Sequence, residues 1–191
     1  MVESDGMSAH RTTWNEALEA TLTGCVGRSL TETWVDEMGL YGPEDAPCFS
    51  HSQLDFVQAL TLELRFDDGA ILHVGCWQDD YDFALWPKEV THSEQLTPDP
   101  DPDRTLFRVR RFDAFPSGAL RDVTWAADDR GNIQTITLHI DSAEVILCAG
   151  EVYEDFDGRL KVSDRDESVL IFLSPDAFAR TVFNSAVYRI E

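Results

Sequence analysis

Residues 60–77, LTLELRFDDGAILHVGCW, decide the fold. Apolar and polar residues alternate over 60–66, which is the two-residue period of a strand with one buried face. The segment DDGA (67–70) favours a tight turn because Asp and Gly tolerate a positive φ. The apolar run ILHVGCW (71–77) then returns beside the first strand, so the segment predicts a β-hairpin. The side chains expected to share its core face are those of Leu60, Leu62, Leu64 and Phe66.

Strand patterns recur along most of the chain. Each is a short run rich in apolar or β-branched residues that ends near Gly, Pro or Asp, as strands of antiparallel proteins do. The runs outside the hairpin are SLTETWVDEM (29–38), LFRVRRF (106–112), LRDVTWAA (120–127), IQTITLHI (133–140), AEVILCAG (143–150), ESVLIFL (167–173) and AVYRI (186–190). The sequence therefore predicts a mainly β (α+β) protein built of antiparallel sheets.

Two short helices are expected beside the strands. The first should begin near residue 12, after a frayed tail over residues 1–10. The second begins within SPDAFARTVF (174–183), where Ser174 suits the N-cap and Pro175 the first helical position. The residues of the first helix that have helical spacing are Trp14, Leu18, Leu22 and Cys25.

The 191 residues are expected to form one globular domain, which divides into two halves with similar hairpins. LRFDDGAILHVGCWQDDYD (64–82) aligns with LHIDSAEVILCAGEVYEDFD (138–157) after one inserted residue, and this alignment matches Gly75 with Gly150. A repeat of this length indicates an internal duplication. The alternative is that all such hairpins look alike. The predicted division has halves at 28–96 and 105–191, joined by an exposed Pro–Asp connector at 97–104.

The chain carries 36 acidic and 15 basic residues, a formal net charge of −21. A surface this acidic repels phosphate backbones, so direct nucleic-acid binding is not expected. The charge suits a solubility surface, an interface for a basic protein, or a mimic of nucleic-acid charge. The one basic island is 104–130, with six basic and four acidic residues, and the acids around it can neutralise it.

The sequence has none of the motifs that define a chemistry. Its four cysteines lack zinc spacing, its five histidines form neither H-x-H nor H-E-x-x-H, and it has no phosphate loop or dinucleotide fingerprint. Neither a cofactor nor a metal is therefore predicted, and no catalytic residue is assigned. The chain begins without a secretion signal and has no membrane-length apolar run, so a cytoplasmic protein is expected.

The segment CWQDDYDFALWP (76–87) combines aromatic and acidic residues. Aromatic side chains anchor protein interfaces, and acidic groups speed association with basic partners. The aspartates of this segment are expected on a loop, and the alignment of the halves repeats that loop at 154–157. The predicted partner-binding residues are Trp77, Asp79, Asp80, Tyr81, Asp82, Trp86, Glu154, Asp155 and Asp157.

In acidity, β-rich pattern and the aromatic–acidic stretch 77–86, the chain resembles the acidic immunity proteins that bacteria make against their own secreted toxins. The resemblance implies a cytoplasmic inhibitor that binds a basic protein such as a toxin domain, and it assigns no residue a role. Three alternatives stay open. A deep pocket with convergent acids would favour a hydrolase-type enzyme with a carboxylate or metal site between the halves. Acids along a rod-like face would favour a nucleic-acid mimic, and an exposed sheet edge would favour a homo-oligomer.

Overall fold

A computed structural model describes residues 4–41, 47–49, 51–79, 82–93, 106–155 and 157–185, with side chains for all of these except 4–13, 41, 79, 82 and 185. Strands make up most of the described residues, nearly all of their pairings are antiparallel and two helices accompany them, which confirms the predicted fold class. The predicted connector at 97–104 and the predicted last strand at 186–190 lie outside the described residues.

The elements follow one another along the chain with short connections. In order they are α1 (Ser4–Gly24), β1 (Ser29–Met38), β2 (Leu40–Tyr41), β3 (Pro47–Cys48), β4 (Val57–Phe66), β5 (Ile71–Asp79), β6 (Asp82–Val90), β7 (Phe107–Arg111), β8 (Gly118–Ala127), β9 (Ile133–Ile140), β10 (Ala143–Glu154), β11 (Leu160–Asp164), β12 (Ser168–Phe172), α2 (Pro175–Arg180) and β13 (Phe183–Ser185).

Six of the strands close into a barrel. Around the ring, β1 pairs with β4, β4 with β12, β12 with β10, β10 with β9, β9 with β8, and β8 returns to β1. Every one of these pairings is antiparallel. The ring takes strands from both halves of the sequence, so the described strands of either half alone do not close it.

The remaining long strands extend the sheet beyond the barrel. One edge of β4 is shared, because residues 57–59 pair with β12 and residues 61–65 pair with β5. β6 pairs with β5 as the next strand outward, and we call this hairpin the β5–β6 wing. β7 lies beside β1, and β11 joins β10 to the parallel strand β13. The wing carries the aromatic–acidic segment.

The hairpin at 60–77 forms as predicted, with one correction. The pairing of β4 with β1 shifts by one residue between Thr61 and Ala59. Ala59 consequently lies in the core and Leu60 does not, although the strict alternation placed Leu60 there. The other three predicted core residues are buried, namely Leu62, Leu64 and Phe66.

The two hairpins that indicated a duplication differ in register. Leu64 pairs with Leu72 in the first hairpin. Leu138, which aligns with Leu64, pairs with Val145 and not with Leu147, the counterpart of Leu72. The second hairpin turns through two residues and the first through four, although the second sequence is one residue longer. The duplication thus stays a prediction from sequence, and the aligned residues do not occupy equivalent positions on the returning strand.

Most of the face that the sequence predicts for α1 is buried. Leu18, Leu22 and Cys25 of α1 are buried in the main core. The helix begins at Ser4, so residues 4–10 are helical and the expectation of a tail there is wrong. At α2, the Ser174 hydroxyl accepts a hydrogen bond of 3.2 Å from the N–H two residues later, as expected of an N-cap. Neither described helix has the length and apolar composition that crossing a membrane requires.

Candidate functional site

The β5–β6 wing places Trp77 and Trp86 on one face. Gly75 pairs with Trp86, and residues two apart on a strand share a face, so Trp77 is the diagonal neighbour of Trp86. Asp79 pairs with Asp82 at the end of the hairpin. The expectation that these two aspartates lie on a loop is therefore wrong, since both strands continue to the tip. Asp80 and Tyr81 lie outside the described residues.

The second predicted acidic loop lies elsewhere. Glu154 is the last residue of β10, and Asp155 and Asp157 follow it before β11 begins. The four residue steps of β11 then carry the chain about 13 Å away from this connection. Asp155 stabilises its own turn, because it accepts hydrogen bonds of 2.9 Å from the N–H groups of Asp157 and Arg159. The bond from Arg159 is the main reason that the pKa of Asp155 is lowered. Glu154 and Asp157 are both exposed.

A different acidic segment meets the wing. The N–H of Phe83, near the start of β6, donates to the carbonyl of Arg165 at 3.3 Å. This bond brings the turn 165–167, between β11 and β12, next to the tip of the wing. Sequence reasoning missed this turn, although the acid-rich run SDRDES (163–168) between two apolar strands was a signal that could have found it.

Three tryptophans meet where α1 approaches the wing. The ring centroid of Trp14 lies 5.8 Å from that of Trp77 and 6.0 Å from that of Trp86. Both separations are typical of favourable aromatic pairs. Trp14 is nevertheless 39% exposed, although its helical spacing with Leu18 suggested a core residue. The cluster therefore presents aromatic surface to solvent.

A pocket of about 390 Å³ opens on this face of the wing. That volume lies within the range of ligand-binding clefts. Gly75 has no side chain to occupy the pocket. A Cβ at this position would lie 3.4 Å from Cγ2 of Thr61, so a larger side chain would fill part of the space. The ammonium group of Lys88 lies 4.7 Å from the ring centre of Trp86. The pocket is lined by Leu60, Thr61, His73, Gly75, Cys76, Trp77, Gln78, Phe83, Trp86, Lys88 and Glu167.

A buried Glu–His pair lies at one end of this face. Glu63 and His73 are opposite each other on β4 and β5, and their nearest side-chain atoms are 3.8 Å apart. Both side chains are at most 5% exposed. Burial, and then the charge of Lys88, lower the pKa of His73, so the imidazole is neutral at pH 7. The pair borders a second pocket of about 290 Å³ on the far side of Lys88.

We call Glu151, Asp166 and Glu167 the acidic rim. Glu151 is 7% exposed, and its Oε2 atom has no hydrogen-bond partner among the described residues. Burial, and then the charges of Asp166 and Glu167, raise the pKa of Glu151 to about 7. Tyr153 donates a hydrogen bond of 2.7 Å to Asp166. In the described part of the chain, no Lys or Arg forms an ion pair with any carboxylate of the rim.

Four of the five described arginines of the basic island form ion pairs with acidic residues, as its acidic surroundings allowed. Glu37 is 2% exposed and accepts from Arg108 at 2.8 Å and from Arg110 at 3.1 Å. Arg121 lies 3.0 Å from Asp141 in the same way. These arginines already have acidic partners, and the charge of the acidic rim remains uncompensated.

Three of the four thiols are poor nucleophiles. None of the four cysteines forms a disulfide bond. Burial raises the pKa of Cys25 to about 11 and that of Cys148 to about 12, and it also raises the pKa of Cys76. These thiols stay protonated at neutral pH, and the thiolate is the reactive form. No group of three or more His, Cys, Asp or Glu side chains in the described segments could hold a metal ion.

We expect a Glu151→Gln variant to be more stable than the wild type at pH 8, by about 1–2 kcal/mol. The pKa of Glu151 is near 7 in the folded protein and 4.5 in a model peptide. Between these values the folded state holds a proton that the unfolded state has released, so wild-type stability falls as the pH rises through this window. Urea unfolding at pH 4.5 and pH 8 measures the difference. Glu154→Gln, an exposed neighbour on the same strand, is the control; equal effects of the two substitutions at pH 8 would contradict the prediction.

No protein-family model matches the chain, and no curated protein matches it at a significant level.

Proposed function

We propose that this protein binds a basic protein partner through the acidic rim and the aromatic face of the β5–β6 wing, and that it inhibits this partner as an immunity protein inhibits a toxin. The observation that carries the proposal is the acidic rim. Its three carboxylates include one that is almost fully buried, and no cation of the described residues pairs with them. Like charges held together without a counter-charge are costly, and a cationic partner would relieve that cost.

The neighbouring aromatic residues support the same proposal. Interfaces place aromatic anchors in their centre and charged groups around them. Trp14, Trp77 and Trp86 form such a centre, and Glu167 borders it. The absence of disulfide bonds between the four cysteines is consistent with a reducing compartment, and the proposed location is the cytoplasm.

Capture from the native cell lysate on immobilised protein, eluted by a salt gradient, tests the proposal. One basic protein should elute as the salt concentration rises, because screening weakens charge-driven contacts. That protein's own activity should then be blocked when the two are mixed. Recovery of acidic or neutral proteins alone, or of a basic protein whose activity is unchanged, would contradict the proposal.

Neutralising the acidic rim should slow the binding of the captured partner. We expect the double variant Asp166→Asn, Glu167→Gln to lower the association rate about tenfold at low salt, with a smaller loss at high salt. Stopped-flow or surface-plasmon kinetics give the rate. The control is Glu19→Gln, Asp129→Asn, which removes the same charge from exposed residues of α1 and the β8–β9 turn. Equal losses in both double variants would mean that only net charge matters.

The Glu63–His73 pair favours a second candidate, a hydrolase-type enzyme. A neutral imidazole beside a carboxylate is the arrangement of a general base. Its Nε2 atom would lie 3.6 Å from a Cβ at Gly75, so the ring reaches the 390 Å³ pocket. A panel of ester, phosphoester and glycoside substrates tests this candidate. Turnover that disappears in His73→Gln would favour the enzyme, and no turnover on any substrate would count against it.

A further inference from the structure

We propose that the 390 Å³ pocket of the β5–β6 wing receives an arginine side chain of the basic partner, with its guanidinium between the aromatic walls and the carboxylate of Glu167. This inference rests on the proposed function and names the chemical group that the site recognises.

The walls of the pocket have the chemistry of a guanidinium site. Trp77 and Phe83 supply aromatic rings, and Glu167 supplies a carboxylate at the same end. A guanidinium is planar, stacks on aromatic faces, is weakly hydrated and pairs with carboxylates through two donors. An ammonium group is compact and strongly hydrated, and it gains less from such walls.

Glu151 provides a second, independent observation. Glu151 is only 7% exposed, and its Oε2 atom has no hydrogen-bond partner among the described residues. Buried carboxylates are ordinarily paired or hydrogen-bonded. Glu167 is close enough for its charge to act on Glu151. Glu151 does not line the pocket, but a cation that enters beside Glu167 would offset part of the negative charge that Glu151 and Glu167 share.

The position of Lys88 determines which end of the pocket the arginine occupies. Its ammonium group lies over the ring of Trp86 and would repel a second cation there. Phe83 is five residues away on β6, about 16 Å along the strand. The guanidinium consequently belongs at the Phe83–Glu167 end. Trp77 Nε1 is a buried donor without an acceptor in the described chain, and it suits a backbone carbonyl of the same partner segment.

The test uses the full chain, labelled with ¹⁵N, and the peptide acetyl-Gly-Arg-Gly-amide. The indole N–H signals of the five tryptophans are followed as the peptide is added, at about 0.15 M salt to screen diffuse attraction. We expect a saturable shift for Trp77, with a Kd of about 1–10 mM, a smaller shift for Trp86 at the other end of the pocket, and none for Trp34 or Trp125. The same peptide with citrulline, which is neutral, should leave all five signals in place.

Glu167→Gln and Asp129→Asn make a matched pair of variants. Each removes one exposed carboxylate charge, and only Glu167 lines the pocket. We expect the first to weaken binding of the arginine peptide about fivefold and the second less than twofold. Equal weakening, or a citrulline peptide that shifts the same signals, would overturn the arginine site.

The outcome separates the two proposals. If a basic partner is captured from the lysate and its affinity is the same for Glu167→Gln and the wild type, the arginine pocket is wrong and the proposed function stands. If the peptide binds at Trp77 and no basic partner is captured, the pocket stands as an arginine site and the proposed function fails.

Discussion

Replacing Gly150 with alanine is expected to lower the free energy of unfolding by about 2–3 kcal/mol. A Cβ at this position would lie 2.5 Å from the backbone oxygen of Ser163 and 2.8 Å from Cδ1 of Leu170. The oxygen cannot move away easily, because Gly150 is where β10 pairs with Asp164 of β11 on one edge and with Ser168 of β12 on the other. Urea unfolding monitored by tryptophan fluorescence measures the loss.

Gly75→Ala is the matched control for this prediction. The sequence alignment of the two halves pairs Gly75 with Gly150, so a true structural repeat would give both substitutions the same cost. At Gly75, however, the nearest atom to a new Cβ is 3.4 Å away, which is ordinary contact. We expect a change within about 0.5 kcal/mol, since alanine also suits a strand better than glycine does. Similar losses for both variants would mean that the tight contact at Gly150 is absent.

Replacing Glu37 with glutamine is expected to destabilise the protein by about 2–3 kcal/mol. The carboxylate is 2% exposed and holds both Arg108 and Arg110, which lie beside it on β7. Glutamine keeps the shape and removes the charge, so two guanidinium groups lose their counter-ion. The side chains of Arg108 and Arg110 are 40% and 30% exposed. Water can therefore solvate both guanidinium groups in the variant, which makes the loss of stability smaller than it would be for fully buried arginines. The loss should persist at high salt, because the carboxylate itself is buried.

Asp55→Asn is the control for Glu37. Asp55 forms an ion pair with Arg180 at 3.0 Å, a distance similar to those at Glu37. In this pair, however, both side chains are 65% exposed. Such a pair contributes about 0–1 kcal/mol, and salt should abolish its effect. If both variants lose the same stability, and lose it only at low salt, then Glu37 behaves as a surface charge and the prediction is wrong.

The elements that could be predicted from sequence are those with strong local patterns. The hairpin at 60–77 shows a two-residue period, and the helix after Ser174 has a clear N-cap signal, so both follow from their own residues. Strand β6 was not predicted, because Pro87 and several charged residues interrupt its apolar pattern. Proline is tolerated there since β6 is an outer strand, and that position in the sheet is not visible in the segment itself.

The candidate site was only partly predictable for a similar reason. Trp77 and Trp86 were found because they belong to one segment. Trp14 joins them from a helix 63 residues away from Trp77. Glu151 on β10 and Glu167 in the turn before β12 follow much later in the chain. The similarity of the two hairpin sequences pointed to residues 154–157 as a second part of the site. Strand β11 separates these residues from the turn 165–167, and it is this turn that contacts the wing. Contacts between elements that are distant in sequence determine which acidic residues reach the site, and a local sequence pattern does not contain this information.

The shared edge of β4 has a consequence for how the protein is made. Residues 57–59 pair with residues 169–171, so this seam stays open during synthesis until β12 has left the ribosome. An unpaired strand edge is a template for pairing with another chain, and two nascent copies could exchange β12 at this seam. The net charge of −21 opposes such encounters by mutual repulsion. The acidity that we assign to partner binding would then also protect each newly made chain from its neighbours until its barrel has closed.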